Sequence, residues 1–97
     1  MLVHTVVFWL KESLSDDQKA AFLADLETLK EIDSEGTFIG TPATTDRPVI
    51  DRSYDFCLTV LLENMEQHDA YQVHDLHKDF LAKNASQWEK VLIYDAD

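Results

Sequence analysis

Leu2 to Leu10 constrains this chain more than any other segment, because it has the composition of a β-strand and is apolar on both faces. Alternation places His4, Val6, Phe8 and Leu10 on one side and Val3, Thr5, Val7 and Trp9 on the other. Residues 54–62 repeat the pattern, with Tyr54, Phe56, Leu58, Val60 and Leu62 opposed to Cys57, Thr59 and Leu61. Strands of this kind belong to a sheet that is covered on both sides.

The rest of the chain supplies one cover. Ser15-Asp16-Asp17-Gln18 is a capping box with acids in the first turn, and it predicts a helix from about Asp16 to Glu31. Phe22, Leu26, Leu29 and Ile32 give that helix one buried stripe. Thr37 to Ala43 reads as a shorter strand, and residues 44–52, flanked by Pro42 and carrying Pro48, read as a polar loop. Asn64 can cap a second helical region from Met65 to Asn84, and Trp88 to Asp95 reads as the last strand.

The resulting order, βαββαβ, is that of a split βαβ unit: an α+β, ferredoxin-like domain over residues 1–97, with a four-stranded antiparallel sheet and both helices on one face. The helices leave the other apolar face open. A 97-residue chain buries only about two-thirds of its unfolded surface, so self-association is a direct remedy. We therefore expect a homodimer whose sheets pack face to face.

Charge narrows the remaining partners. Nineteen acids against eight bases give a net charge of −11, which argues against nucleic acid and against an anionic membrane surface. Cys57 is the only cysteine, so no internal disulfide is expected. Met1-Leu2-Val3-His4 lacks the basic region of a signal peptide, and a cytoplasmic location is expected.

Chemistry concentrates in two places, His4 and the run Tyr71-Gln72-Val73-His74-Asp75-Leu76-His77. Imidazole titrates near neutrality and a phenol can donate to a developing oxyanion, so this set could move protons without a metal or cofactor. On an uninterrupted helix Tyr71 and His77 would diverge by about 120°. Asp75 could cap a new helical segment and so change that angle.

His74 and His77 share a helix face, but without a CxxC, an HExxH or a visible third ligand no metal is assigned to them. A cation held by carbonyls or carboxylates would leave no sequence trace. There is no GxSxG, P-loop or GxGxxG. Cys57 reads as a small core residue, and Trp9 and Trp88 as core or dimer anchors.

The opening strand His4 to Phe8, the Tyr-x-x-His-x-x-His segment at Tyr71 to His77, and a final strand opening at Trp88 together resemble the stress-responsive α/β barrel, or Dabb, family. The resemblance covers essentially the whole chain. It implies a dimeric α/β barrel of ferredoxin-like subunits. Through the plant polyketide cyclases of that family, it implies His77 as base, Tyr71 as its hydrogen-bonding partner or oxyanion donor, and His4 as pocket lining.

Phe22, Leu26 and His74 are assigned to substrate contact, and Leu26 falls where those cyclases carry a second tyrosine. Asp75 replaces a proline usual in the family. The leading expectation is a small-molecule enzyme or binder working on a carbonyl or polyketide-like compound, with no cofactor. The alternatives are a non-enzymatic stress or scaffold dimer with a filled pocket, and a cofactor-free monooxygenase.

Overall fold

In the computed structural model, which describes residues 1–97, strand β1 (Leu2–Leu10) pairs on both sides within a four-stranded antiparallel sheet. It is followed by α1 (Asp16–Glu27), β2 (Gly36–Gly40), β3 (Phe56–Leu62), α2 (Met65–Val73), α3 (Asp75–Asn84) and β4 (Trp88–Ala96). The strand order is β2-β3-β1-β4, and the fold is ferredoxin-like α+β.

The capping box forms as the sequence specifies. The Gln18 N–H donates to Ser15 Oγ at 3.1 Å, and the Ser15 N–H donates to Gln18 Oε1 at 2.8 Å. The helix ends sooner than expected because Thr28 tightens the chain. Its hydroxyl donates to the Asp25 carbonyl at 2.6 Å, and residues Thr28–Glu31 continue as a 3-10 turn. That turn still delivers Leu29 and Ile32 into the core.

Two strands are shorter than the sequence suggests, each for a local reason. β3 starts at Phe56 rather than Tyr54 because the Asp55 carboxylate takes the Leu10 N–H at 2.7 Å, which closes the ladder. Tyr54 then packs against Trp9 on the opposite side of the sheet from Phe56. β2 spans Gly36–Gly40, and the residues up to Ala43 stay outside the sheet. At Gly40 a Cβ would lie 2.9 Å from the ring of exposed Phe38, so a larger residue there would push that ring aside.

The second helical region breaks at His74, one residue before Asp75. His74 is extended (φ −63°, ψ 142°), and its Nδ1 accepts the Leu76 N–H at 3.1 Å. His74 is thus the N-cap itself, and Asp75 lies in the first turn of α3, where its charge complements the helix dipole.

Cross-strand register sorts the two faces. Leu2, His4, Val6, Phe8 and Leu10 join Phe56, Leu58, Val60 and Leu62 beneath the helices, with Phe22, Leu26, Tyr71 and Phe80 packed over them. Phe22 stacks on Phe56 at 5.9 Å and meets Phe8 edge-on at 5.3 Å, so aromatic packing joins α1 to the centre of the sheet. Buried Asn84 ties the helices together by donating to Asp25 Oδ2 and to the Phe80 carbonyl.

The opposite face is apolar and uncovered. One row crosses the sheet as Phe38, Thr59, Thr5 and Tyr94, and the next as Cys57, Val7 and Leu92. Phe38 is 65% exposed and Tyr94 62%. No helix of the chain is long and apolar enough to cross a membrane.

Candidate active site

A cavity of about 180 Å³ lies between the helix-covered face of the sheet and the helices. Its walls include Val6, Phe8, Leu58, Phe80, Trp88 and Val91, and its polar groups include His4, Tyr71 and His77. Three local features bring these residues together. Even-numbered positions of β1 aim His4 inward, the His74 break reorients α3 so that His77 faces Tyr71, and a bulge in β4 admits Trp88.

Trp9 pairs with Lys90, so strict alternation would pair Leu10 with Glu89 and turn a carboxylate inward. Leu10 pairs instead with Trp88, and a half-buried indole takes the inward position.

Tyr71 is 1% exposed, and its hydroxyl has no hydrogen-bond partner. His77 Nδ1 is likewise buried and unpartnered. The two rings meet edge-on with centroids 5.5 Å apart, and the His4 ring lies 6.0 Å from that of Tyr71. Tyr71 and His77 therefore do not hydrogen-bond to each other, and the phenol is left to serve as a donor to something else.

Burial pushes the Tyr71 hydroxyl up to about 12, so it stays protonated near neutrality. Burial, aided by nearby His4, pushes His77 below its ordinary value, so its imidazole is neutral there and carries a free lone pair. A neutral base and a protonated donor on one cavity wall are the two parts of an acid/base site.

His4 is held differently. Its Nδ1 lies 2.5 Å from Asp95 Oδ1, and a carboxylate can only accept, so Nδ1 donates the proton that joins them. His68 stands beside this pair, its ring 5.4 Å from that of His4 and its Nε2 3.8 Å from Asp95 Oδ2.

Of the residues singled out from sequence, His4, Tyr71 and His77 line the cavity. Phe22 and Leu26 lie outside the lining, fully buried in the core, and His74 is exposed as a helix cap. Asp95 and His68 escaped the sequence reading. His68 lies three residues before Tyr71 and so on its helix face, which is a readable signal, whereas Asp95 is recognised only through its register with His4.

The class is that of a ferredoxin-like α+β subunit, here with an apolar cavity bordered by a strand histidine and the Tyr-x-x-His-x-x-His segment. The chain belongs to the Stress Responsive A/B Barrel Domain family, Dabb, matched over residues 2–97. Among solved structures it is similar to a dimeric ferredoxin-like protein from Thermobifida fusca, at 22% identity and TM-score 0.79, covering 98% of this chain and 88% of that one. A Dabb family protein from Mesorhizobium loti matches at 23% identity and TM-score 0.76, covering 99% and 94%. A hydroxynitrile lyase from Passiflora edulis matches at 18% identity and TM-score 0.78, covering 98% and 90%. No curated protein matches the sequence.

Proposed function

We propose that this protein is an acid/base enzyme for a small carbonyl compound or a hydroxynitrile, with His77 as base and Tyr71 as donor to the substrate oxygen. The observation that carries this reading is the pair of buried, unpartnered polar atoms, Tyr71 Oη and His77 Nδ1, beside an apolar cavity. Buried polar groups are otherwise almost always paired, so a pair left open at a cavity calls for a ligand that completes it.

In the carbonyl version the neutral His77 removes a proton next to the carbonyl while the Tyr71 hydroxyl stabilises the oxyanion that forms. In the hydroxynitrile version the same base takes the hydroxyl proton as the C–CN bond breaks to leave the carbonyl compound, and it returns that proton to the departing cyanide as HCN. The fold shared with a hydroxynitrile lyase supports this second substrate class. His4, fixed by Asp95, lines the same cavity and orients the bound molecule.

Size selects among substrates. Drug-sized ligands occupy pockets of roughly 300 to 1,000 Å³, and this cavity holds about 180 Å³. The substrate is therefore small and largely apolar rather than an extended polyketide chain.

The open sheet face completes the reading as the interface of a homodimer, the state named for the Thermobifida fusca neighbour. We place the dimer in the cytoplasm, consistent with a single half-buried cysteine and no disulfide.

A panel of small β-diketones and aliphatic or aromatic hydroxynitriles tests the activity. His77→Ala and Tyr71→Phe should each lower kcat/KM by about 10²-fold to 10⁴-fold. Turnover that survives both substitutions refutes the assignment. A cavity that binds none of the panel, with both variants changed only in stability, supports a non-catalytic dimer instead.

A further inference from the structure

We propose that His4, His68 and Asp95 form a binding site for one divalent transition-metal ion of the zinc and cobalt class. This goes beyond the proton-transfer reading, which uses His77 and Tyr71 and requires no ion.

One donor atom from each of the three residues lies within 4.8 Å of the other two. Asp95 stands between the histidines, with Oδ1 2.5 Å from His4 Nδ1 and Oδ2 3.8 Å from His68 Nε2, and an ion taken by Nδ1 displaces the proton that joins His4 to Asp95. Zinc–nitrogen and zinc–oxygen bonds of 2.0 to 2.2 Å in a tetrahedron put neighbouring donors about 3.3 Å apart. Reaching that geometry requires the widest pair to close by at most about 1.5 Å and Asp95 to step back from His4 by less. Asp95 has the freedom to do so, since its side chain is 42% exposed near the end of β4.

A second observation concerns His68 alone. Its Nδ1 donates to Asp69 Oδ1 at 3.1 Å, which leaves the lone pair on Nε2, the nitrogen facing Asp95. A metal-bound histidine is commonly held this way, with a carboxylate on the far nitrogen fixing the tautomer. A hydrogen bond does not account for the arrangement, because 3.8 Å is beyond hydrogen-bond reach.

The donor set also selects the ion. Two imidazoles and one carboxylate suit first-row transition metals from iron(II) to zinc, whereas magnesium and calcium prefer all-oxygen sites. Three protein ligands leave a fourth position for water or a small ligand. The net charge of −11 raises the local concentration of any cation. The ligands come from β1, α2 and β4, so the ion would pin α2 to the sheet immediately beside the cavity.

The test is titration of the chelator-stripped full chain with cobalt chloride, followed by visible absorption and equilibrium dialysis, with zinc and magnesium as competitors. The expected result is one cobalt per chain with d–d absorption in the visible. Zinc should remove that band, and an equal concentration of magnesium should leave it. Bound zinc should raise Tm.

His68→Ala and Asp95→Asn should each weaken cobalt binding at least tenfold, and circular dichroism confirms that each is folded. His74→Asn, at the exposed histidine outside the cluster, and His77→Asn, at the proposed base, should leave the band unchanged. His68→Ala leaves the His4–Asp95 pair intact and reads loss of the ion, while His77→Asn reads loss of turnover. No stoichiometric cobalt in the wild type, displacement by magnesium, or a band lost in His74→Asn and kept in both cluster variants overturns the proposal.

Discussion

Tyr71→Phe should make the protein more stable while making it a poorer catalyst. The phenol ring is 1% exposed and packed between His4 and His77, so phenylalanine keeps its shape and contacts. What the substitution removes is a buried hydroxyl that has no partner. Stranding such a group costs about 1 to 3 kcal/mol. The cavity beside it gives room for partial hydration, so the gain on removal belongs at the lower end, about 1 kcal/mol. For a domain of this size that corresponds to a rise in Tm of roughly 4 to 8 °C. Thermal unfolding by circular dichroism at fixed protein concentration measures it, since association would otherwise shift Tm by mass action. A loss of 1 kcal/mol or more would show that the hydroxyl is paired in the native protein, and the argument that Tyr71 awaits a substrate oxygen would fail.

Two further expectations follow from the same cavity and from the open face of the sheet. His77 is held below its ordinary value of 6.5, so the unfolded chain takes up its proton first as pH falls. Stability contributed by the neutral buried ring is therefore complete above about 6.5 and declines below it, and His77→Leu should flatten that slope in urea midpoints taken from pH 7.5 to 5. Wild type and variant with parallel pH profiles would refute the burial argument. Val7 lies mid-strand on the uncovered face beside Cys57 and Leu92, so Val7→Lys should convert a dimer to a folded monomer in light scattering. An unchanged mass would place the interface elsewhere.

The sequence made some features legible because neighbours within a few residues decide them. The Ser15–Gln18 capping box and the alternation along β1 and β3 need no long-range information. Elsewhere one local option competes with another. Asp75 is a better helix cap by type, yet His74 takes the position because its own Nδ1 reaches the Leu76 N–H. Thr28 ends α1 early through its bond to Asp25, and Asp55 shortens β3 by occupying the Leu10 N–H. Assigning Phe22 and Leu26 to the pocket failed differently. An apolar stripe faces the core, but only packing decides which members border a void, and these two are sealed beneath aromatic and strand side chains. Asp95 was hidden by the register of β4, which a bulge at Trp9/Leu10 shifts.

The break at His74 also gives a test of how the base is positioned. His4 has a carboxylate to fix its ring, whereas His77 has no hydrogen-bonding residue behind it, so its orientation rests on α3 and on the Tyr71 ring. A base whose orienter is a helix depends on that helix's first turn, and His74 caps the turn from outside the cavity. His74→Ala removes the cap acceptor and should cost about 1 kcal/mol, the usual price of a lost N-cap. His74→Asn keeps an acceptor in the same place and should cost only a few tenths of that. If the capped first turn is what aims His77, His74→Ala lowers kcat by more than tenfold, leaves KM nearly unchanged because the apolar walls are untouched, and is rescued by His74→Asn. Equal turnover in His74→Ala, His74→Asn and wild type would show that packing against Tyr71 alone holds the imidazole, and that the helix break sets the direction of α3 without controlling the precision of its base.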